Sequence, residues 1–148
     1  MKFHVEGLKE LEVALAELPK ATGRNVALRV LKKEAQPIAD AGEQSAPRRS
    51  GRLASSYGVS TQLTRRQRKQ HRRESDVEMF VGPYGHPSAI QTEFGNAHQS
   101  PDPHLRPAWD SNVMSVLENI RTSLAAEIEK ARARLARKAE REAAKLKK

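Results

Sequence analysis

Five histidines, His4, His71, His86, His98 and His104, are the side chains of this sequence best suited to ligate a metal or move a proton near neutral pH. Three of them, His86, His98 and His104, share a proline-rich stretch with Glu93 and Asp102. Such a set could hold a cation or supply paired carboxylates for acid–base work. The histidine spacings of 12 and 6 match no common ligand pattern, however. No base or nucleophile stands near either carboxylate in sequence. Cysteine is absent, which removes disulfides, thiolate metal sites and thiol nucleophiles. Nucleophile-elbow, phosphate-cradling and dinucleotide-binding glycine patterns are missing too, as is H-E-x-x-H. The expectation is therefore no catalytic site, no metal and no cofactor. Glu93, just before Phe94 and Gly95, is better suited to shaping a loop by accepting hydrogen bonds from backbone or from an arginine, with Arg106 a candidate donor.

The second kind of chemistry is charge. The chain has 27 Lys and Arg against 18 Asp and Glu in 148 residues, a formal charge of +9. Residues 65–73, R-R-Q-R-K-Q-H-R-R, hold six bases and no acid. Residues 121–148 hold ten bases and four acids. The remainder is slightly acidic, with 11 bases and 14 acids. A mildly acidic body thus carries two basic appendages, suited to reaching a polyanion or an acidic protein surface.

These groups need elements to position them. The apolar share is 37% and the aromatic share 4%, so the core must be small and built mainly from Leu, Val, Ile and Ala. Leu8, Leu11, Leu15 and Leu18 recur at helical spacing, and Pro19 closes that helix or opens the next. A second helix is predicted over about 22–44, with Val26, Val30 or Leu31, Ala35, Ile38 and Ala41 as its buried stripe and a kink or break at Pro37. Tyr57, Val59, Thr61 and Leu63 alternate, as do Val77, Met79 and Val81, which predicts two antiparallel strands. The basic block lies between them, as the tip of a long hairpin too polar to pack on the body and mobile until a partner arrives. Residues 88–95 fit a short helix or a strand equally. The last helix is predicted from about Ala108, with Trp109, Val113, Leu117, Ile120, Leu124, Ile128, Ala131 and Leu135 on one stripe and Trp109 pinning it to the sheet. No apolar run approaches the ~18 residues of a membrane span, and the N-terminus has no signal-peptide core.

Three short stretches stand out together: A-P-R-R-S-G-R-L (46–53), T-E-F-G-N (92–96) and P-D-P-H-L-R-P-A-W-D (101–110). In this order, behind a helical start opening G-L-K-E-L, they resemble the siphophage head–tail joining (neck) or tail-completion proteins, over residues 5 to about 125. Pro47, Ser50, Gly51 and Leu53 fit that family's turn after its long helix. Glu93, Phe94 and Gly95 fit its second element, with Asn96 where Thr is usual. Leu105, Arg106, Pro107 and Ala108 fit its lead-in to the final helix, with His104 where an aromatic is frequent. The basic block and the tail beyond about 125 are longer and more basic than the family needs. Independently of the resemblance, Gly51 suits a positive-φ position, Pro47 stops the preceding helix, Phe94 is expected to anchor its loop on the core, and Pro107 suits a first helical turn.

The fold expected is α+β, with N- and C-terminal helices packed on a small antiparallel sheet bearing a protruding basic hairpin. The organisation expected is a body over 1–125, with its basic tip at 64–75, and a basic helical extension over 126–148. The resemblance implies a structural virion protein, assembled in the host cytoplasm, six copies of which close into a ring around the DNA channel where the capsid connector meets the tail. Its partners would be copies of itself and other neck and tail proteins, with no membrane. The hairpin bases Arg65, Arg66, Arg68, Lys69, Arg72 and Arg73 would touch an acidic partner protein or, secondarily, DNA without regard to sequence. The rival reading is a small basic nucleic-acid-binding protein. The charge favours it; the lack of aromatic residues in the basic block and of any helix-turn-helix or zinc pattern weighs against it.

Overall fold

A computed structural model describes residues 5–146. His4 lies outside them. The chain opens with helix α1 (Leu8–Ala16), continues through α2 (Lys20–Glu34) and α3 (Gln36–Ser45), and makes a single turn, α4 (Arg52–Ser55). Strand β1 (Tyr57–Ser60), the short helix α5 (Arg65–Gln70) and strand β2 (Phe80–Pro83) follow. Then come α6 (Ala89–Phe94) and the long α7 (Leu105–Leu146). This is an α+β protein in which a two-stranded antiparallel sheet sits among helices.

The long second helix divides at Ala35. Pro37 cannot donate to the helical ladder and crowds the preceding turn, so α2 ends at Glu34 and the proline lies in the first turn of α3. Both halves pack along α7, which forms the spine of the molecule. Leu18, Val26, Ile128 and Ala131 make one buried cluster, flanked by Leu11, Leu15, Leu124 and Leu135. Each fully buried Leu, Ile or Val there contributes about 1.5–3 kcal/mol. A buried carboxylate also joins α2 to the spine: Ser123 Oγ donates to Glu34 Oε1 at 2.6 Å. That bond holds Glu34 below the usual carboxylate pKa, against the opposing effect of burial and with further help from Lys33.

The strands are shorter than their alternation implies. They pair Tyr57 with Pro83, Gly58 with Gly82, Val59 with Val81 and Ser60 with Phe80, and every residue in both is half-buried. Arg52–Ser55 winds into α4 because Leu53 and Ala54 can then meet Ala46 in a second small core, against Tyr57 and Ala89. The final helix spans 42 residues, roughly 63 Å at 1.5 Å per residue. It passes residue 125 without a break, and Ile128 and Ala131 beyond that point are in the core. From residue 136 to 146 every position is exposed. Trp109 does not pin α7 to the sheet. It is 41% exposed, and the neighbouring Ala108, with Val113 and Val116, occupies the buried face instead.

Candidate functional site

The three motif stretches, separated by up to 55 positions from Ala46 to Pro101, meet around one buried point. The first enters from α3. Ala46 is extended at φ −64°, ψ 137°, the conformation that a following proline imposes, so Pro47 turns the chain away from the helix. Gly51 has φ 71° and opens α4, a conformation costly for a side-chain-bearing residue. Leu53 is then buried and Ser50 is exposed. A Cβ on Gly42 would lie 2.2 Å from Tyr57 Cε1. Glycine there lets the tyrosine ring lie directly on α3.

Tyr57 carries the link onward. Its hydroxyl shares a hydrogen bond with His104 Nδ1, and the two rings meet edge to face at 5.6 Å. Burial, and secondarily the Glu93 charge, push the Tyr57 phenol well above its ordinary pKa. His104 is 1% exposed, and its Nε2 has no partner among the described residues. The position where an aromatic is frequent in the resembled family is thus filled by a ring that stacks and also hydrogen-bonds.

Glu93 closes the junction. Its Oε2 accepts from the backbone N–H of His104 at 2.8 Å and of Leu105 at 2.9 Å, and its Oε1 accepts from the N–H of Arg106 at 2.9 Å. These are orphan donors at the start of α7, so one carboxylate caps the spine helix and sits at the positive end of its dipole. Burial raises the Glu93 pKa, but the three amides, with His104 nearby, outweigh it and hold the group below the usual carboxylate value. The expected partner residue Arg106 does take part, through its main chain. Its guanidinium stacks instead on Phe94, 5.3 Å from the ring centroid.

Gly95 ends α6 at φ 76°, and a Cβ there would come within 2.8 Å of Gln99 O and 2.9 Å of Pro101. The chain can double back only with glycine at this position. Thr92 O then accepts from Asp102 N at 2.8 Å, and Asn96 Oδ1 accepts from His98 N at 2.8 Å. Leu105 lies on the bare backbone of Gly82 in β2, and Pro107 occupies the first turn of α7. Phe94 departs from expectation. It is 62% exposed, because α6 turns Thr92 and Glu93 inward and leaves Ile90 and Phe94, four apart, on the outer face.

That outer face borders a groove that sequence reasoning missed. It measures about 540 Å³ and runs between α5 and α6 across the hairpin, with Tyr84, Ile90 and Phe94 on its rim and His104 and Leu105 at its base. Tyr84 is 51% and Ile90 65% exposed. The i, i+4 spacing of Ile90 and Phe94 was the available signal, obscured because six residues are too few to establish a helical period.

The hairpin tip is folded. Thr64 and Gln67 form a reciprocal capping box that starts α5. Glu78 Oε1 accepts from Glu74 N at 2.8 Å, and Glu78 Oε2 pairs with His71 Nε2 at 2.7 Å. Those bonds hold the Glu78 pKa below its usual value. Arg73 donates to the carbonyls of Ser75 and Asp76, and Arg24 of α2 also reaches Asp76 O. Local polar bonds thus order a segment that has no apolar core. Arg73 is engaged in closing the tip, whereas Arg65, Arg66, Arg68, Lys69 and Arg72 are exposed and form no ion pair among the described residues. His86 bonds Ser88, His98 lies on an exposed turn, and among the described residues no three His, Asp or Glu side chains gather as a cation site.

A buried junction of capping carboxylate, stacked rings and tight glycines thus lies beside an exposed apolar groove. Residues 9–95 match the HK97-gp10-like family model, described as "Bacteriophage HK97-gp10, putative tail-component". The chain belongs to this family of phage tail components, and its place is in the virion. No curated protein and no solved structure matches it significantly. Among the described residues no helix is long and apolar enough to cross a membrane.

Proposed function

We propose that this tail component works at the neck, where six copies close by rotation into a ring around the DNA channel and join or complete the tail at the capsid connector. Head-to-tail contacts between identical subunits generate such rings when the rotation closes. The observation that carries the reading is the junction itself. Glu93, the acidic group buried among the three motifs, has its carboxylate occupied by three main-chain donors of α7. In this reading its work is to hold shape. Around this rigid point the apolar rim of Tyr84, Ile90 and Phe94 offers the contact surface that assembly needs. The work is geometric, and no covalent bond is made or broken.

The free bases of the tip, Arg65, Arg66, Arg68, Lys69 and Arg72, would meet an acidic face on a neighbouring subunit or another neck protein. The excess of acids over bases outside the two basic segments is compatible with the first. Replacing these five and Arg73 with Gln tests this in the particle, by counting joined heads and tails in electron micrographs. Joining should fall severalfold; unchanged joining would refute the tip's role. Ile90→Asp with Phe94→Asp tests the rim separately. Both positions are exposed, so folding should survive while joining is lost.

A further inference from the structure

The end of α7 carries a feature that the ring reading does not use. Lys130, Arg134, Arg137, Lys138, Arg141 and Lys145 recur along a continuous helix at steps of three or four, apart from the adjacent Arg137 and Lys138. At 100° per residue they share one face, over roughly 22 Å of helix. Arg134, Arg137, Lys138 and Arg141 by themselves line a recess of about 180 Å³. The segment holds four acids, of which Glu140 forms no ion pair among the described residues. Glu127 holds Lys130 at 2.8 Å, Glu129 pairs with Arg132 off the stripe, and Glu142 reaches Lys138 only at 3.9 Å. Arg134, Arg141 and Lys145 have no ion-pair partner among the described residues.

We propose that this stripe binds the phosphate backbone of duplex DNA without regard to sequence. One observation favours DNA over an acidic protein. Protein interfaces are centred on buried aromatic, Met and aliphatic side chains, and from residue 136 to 145 the helix carries no apolar side chain larger than alanine. The three central arginines offer planar forks that suit phosphate oxygens and carboxylates alike, so they support anion binding without deciding between the two. A duplex presents a charge about every 1.7 Å of its axis, so the 22 Å stripe faces more phosphates than it has cations. Choosing DNA among polyanions rests on the reading of the protein as a tail component; the stripe itself does not.

The test is a fluorescence-anisotropy titration of the full chain with a labelled duplex of mixed sequence across a range of sodium chloride. Wild type should bind, with log affinity falling against log salt at a slope of about −4 to −5. R134Q/R137Q/K138Q/R141Q, checked for unchanged helicity by circular dichroism, should bind at least about tenfold more weakly at low salt, with the slope reduced by about 3.6. R134K/R137K/R141K should keep the slope. Absence of salt-dependent binding by wild type, or an unchanged slope in the glutamine variant, would overturn the proposal. So would loss of polyglutamate binding in that variant with duplex binding intact, which would assign the face to an acidic protein. The titration uses isolated protein, so its failure is distinct from a failure of heads and tails to join.

Discussion

The two ends of α7 are built on opposite principles. At its start every exposed backbone donor is answered: Glu93 caps three amides, His104 is enclosed by Tyr57, and Leu105 presses on Gly82. At its end, from residue 136 onward, all described positions are exposed, and charged side chains alternate with alanines. The helix is continuous between the two. One end is held by tertiary contacts and the other by helix propensity and the single Lys138–Glu142 pair at 3.9 Å, worth only tenths of a kcal/mol. Stability is therefore concentrated in the body, while the free end can present charge without endangering the fold.

Substitutions can break this contrast, beginning with the largest effect. Ile128, 1% exposed, marks the last strongly buried stretch of α7. Ile128→Ala should cost about 4 kcal/mol by transfer and cavity together, read as a lower urea midpoint. Glu93→Ala leaves three helix-start donors unanswered and should cost about 3 kcal/mol, with a comparable fall in midpoint. Gly95→Ala forces a side chain into a positive-φ site already in contact with Gln99 and Pro101. It should cost about 2 kcal/mol.

A smaller effect sharpens the electrostatic side. Glu93 is held below its usual pKa of 4.5 in the folded protein, so the unfolded chain takes up a proton first as the solution is acidified. The stability this group contributes is fully present above that value and is lost as the pH falls through the folded one. Glu93→Gln should lie below wild type in stability at pH 7, and the gap should narrow in urea titrations taken progressively below pH 4.5. The smallest effect belongs to the far end. Ending the chain after Ala136 should change the unfolding free energy by no more than about 0.5 kcal/mol, although it removes most of the basic stripe. A large loss of stability there would show that the end of the helix is packed after all.

Much of the architecture was legible in the residues. The leucine spacing of α1, the division of the second helix by Pro37, the two strands and the long last helix all followed from periodicity and proline chemistry. Glu93 was legible as a loop-shaping carboxylate because no catalytic partner stood near it. Its donors were not, since Arg106 contributes a main-chain amide and only the fold shows which group of a residue faces a partner. Phe94 and Trp109 were misread for a related reason. Aromatic residues are expected inside, yet each lies beside a smaller neighbour that the helix geometry turns inward in its place.

What this sequence determined by itself was local: helix starts and stops, strand alternation, turn glycines and the segregation of charge into two segments, all set by steric limits and hydrophobic period along a few residues. Tertiary structure alone decided that Tyr57, Glu93 and His104 meet, that Ile90 and Phe94 face outward, and that the tip closes on itself through Glu78 and Arg73. Those outcomes depend on contacts between residues distant in the chain or competing within one short turn, where no repeating period exists to announce them.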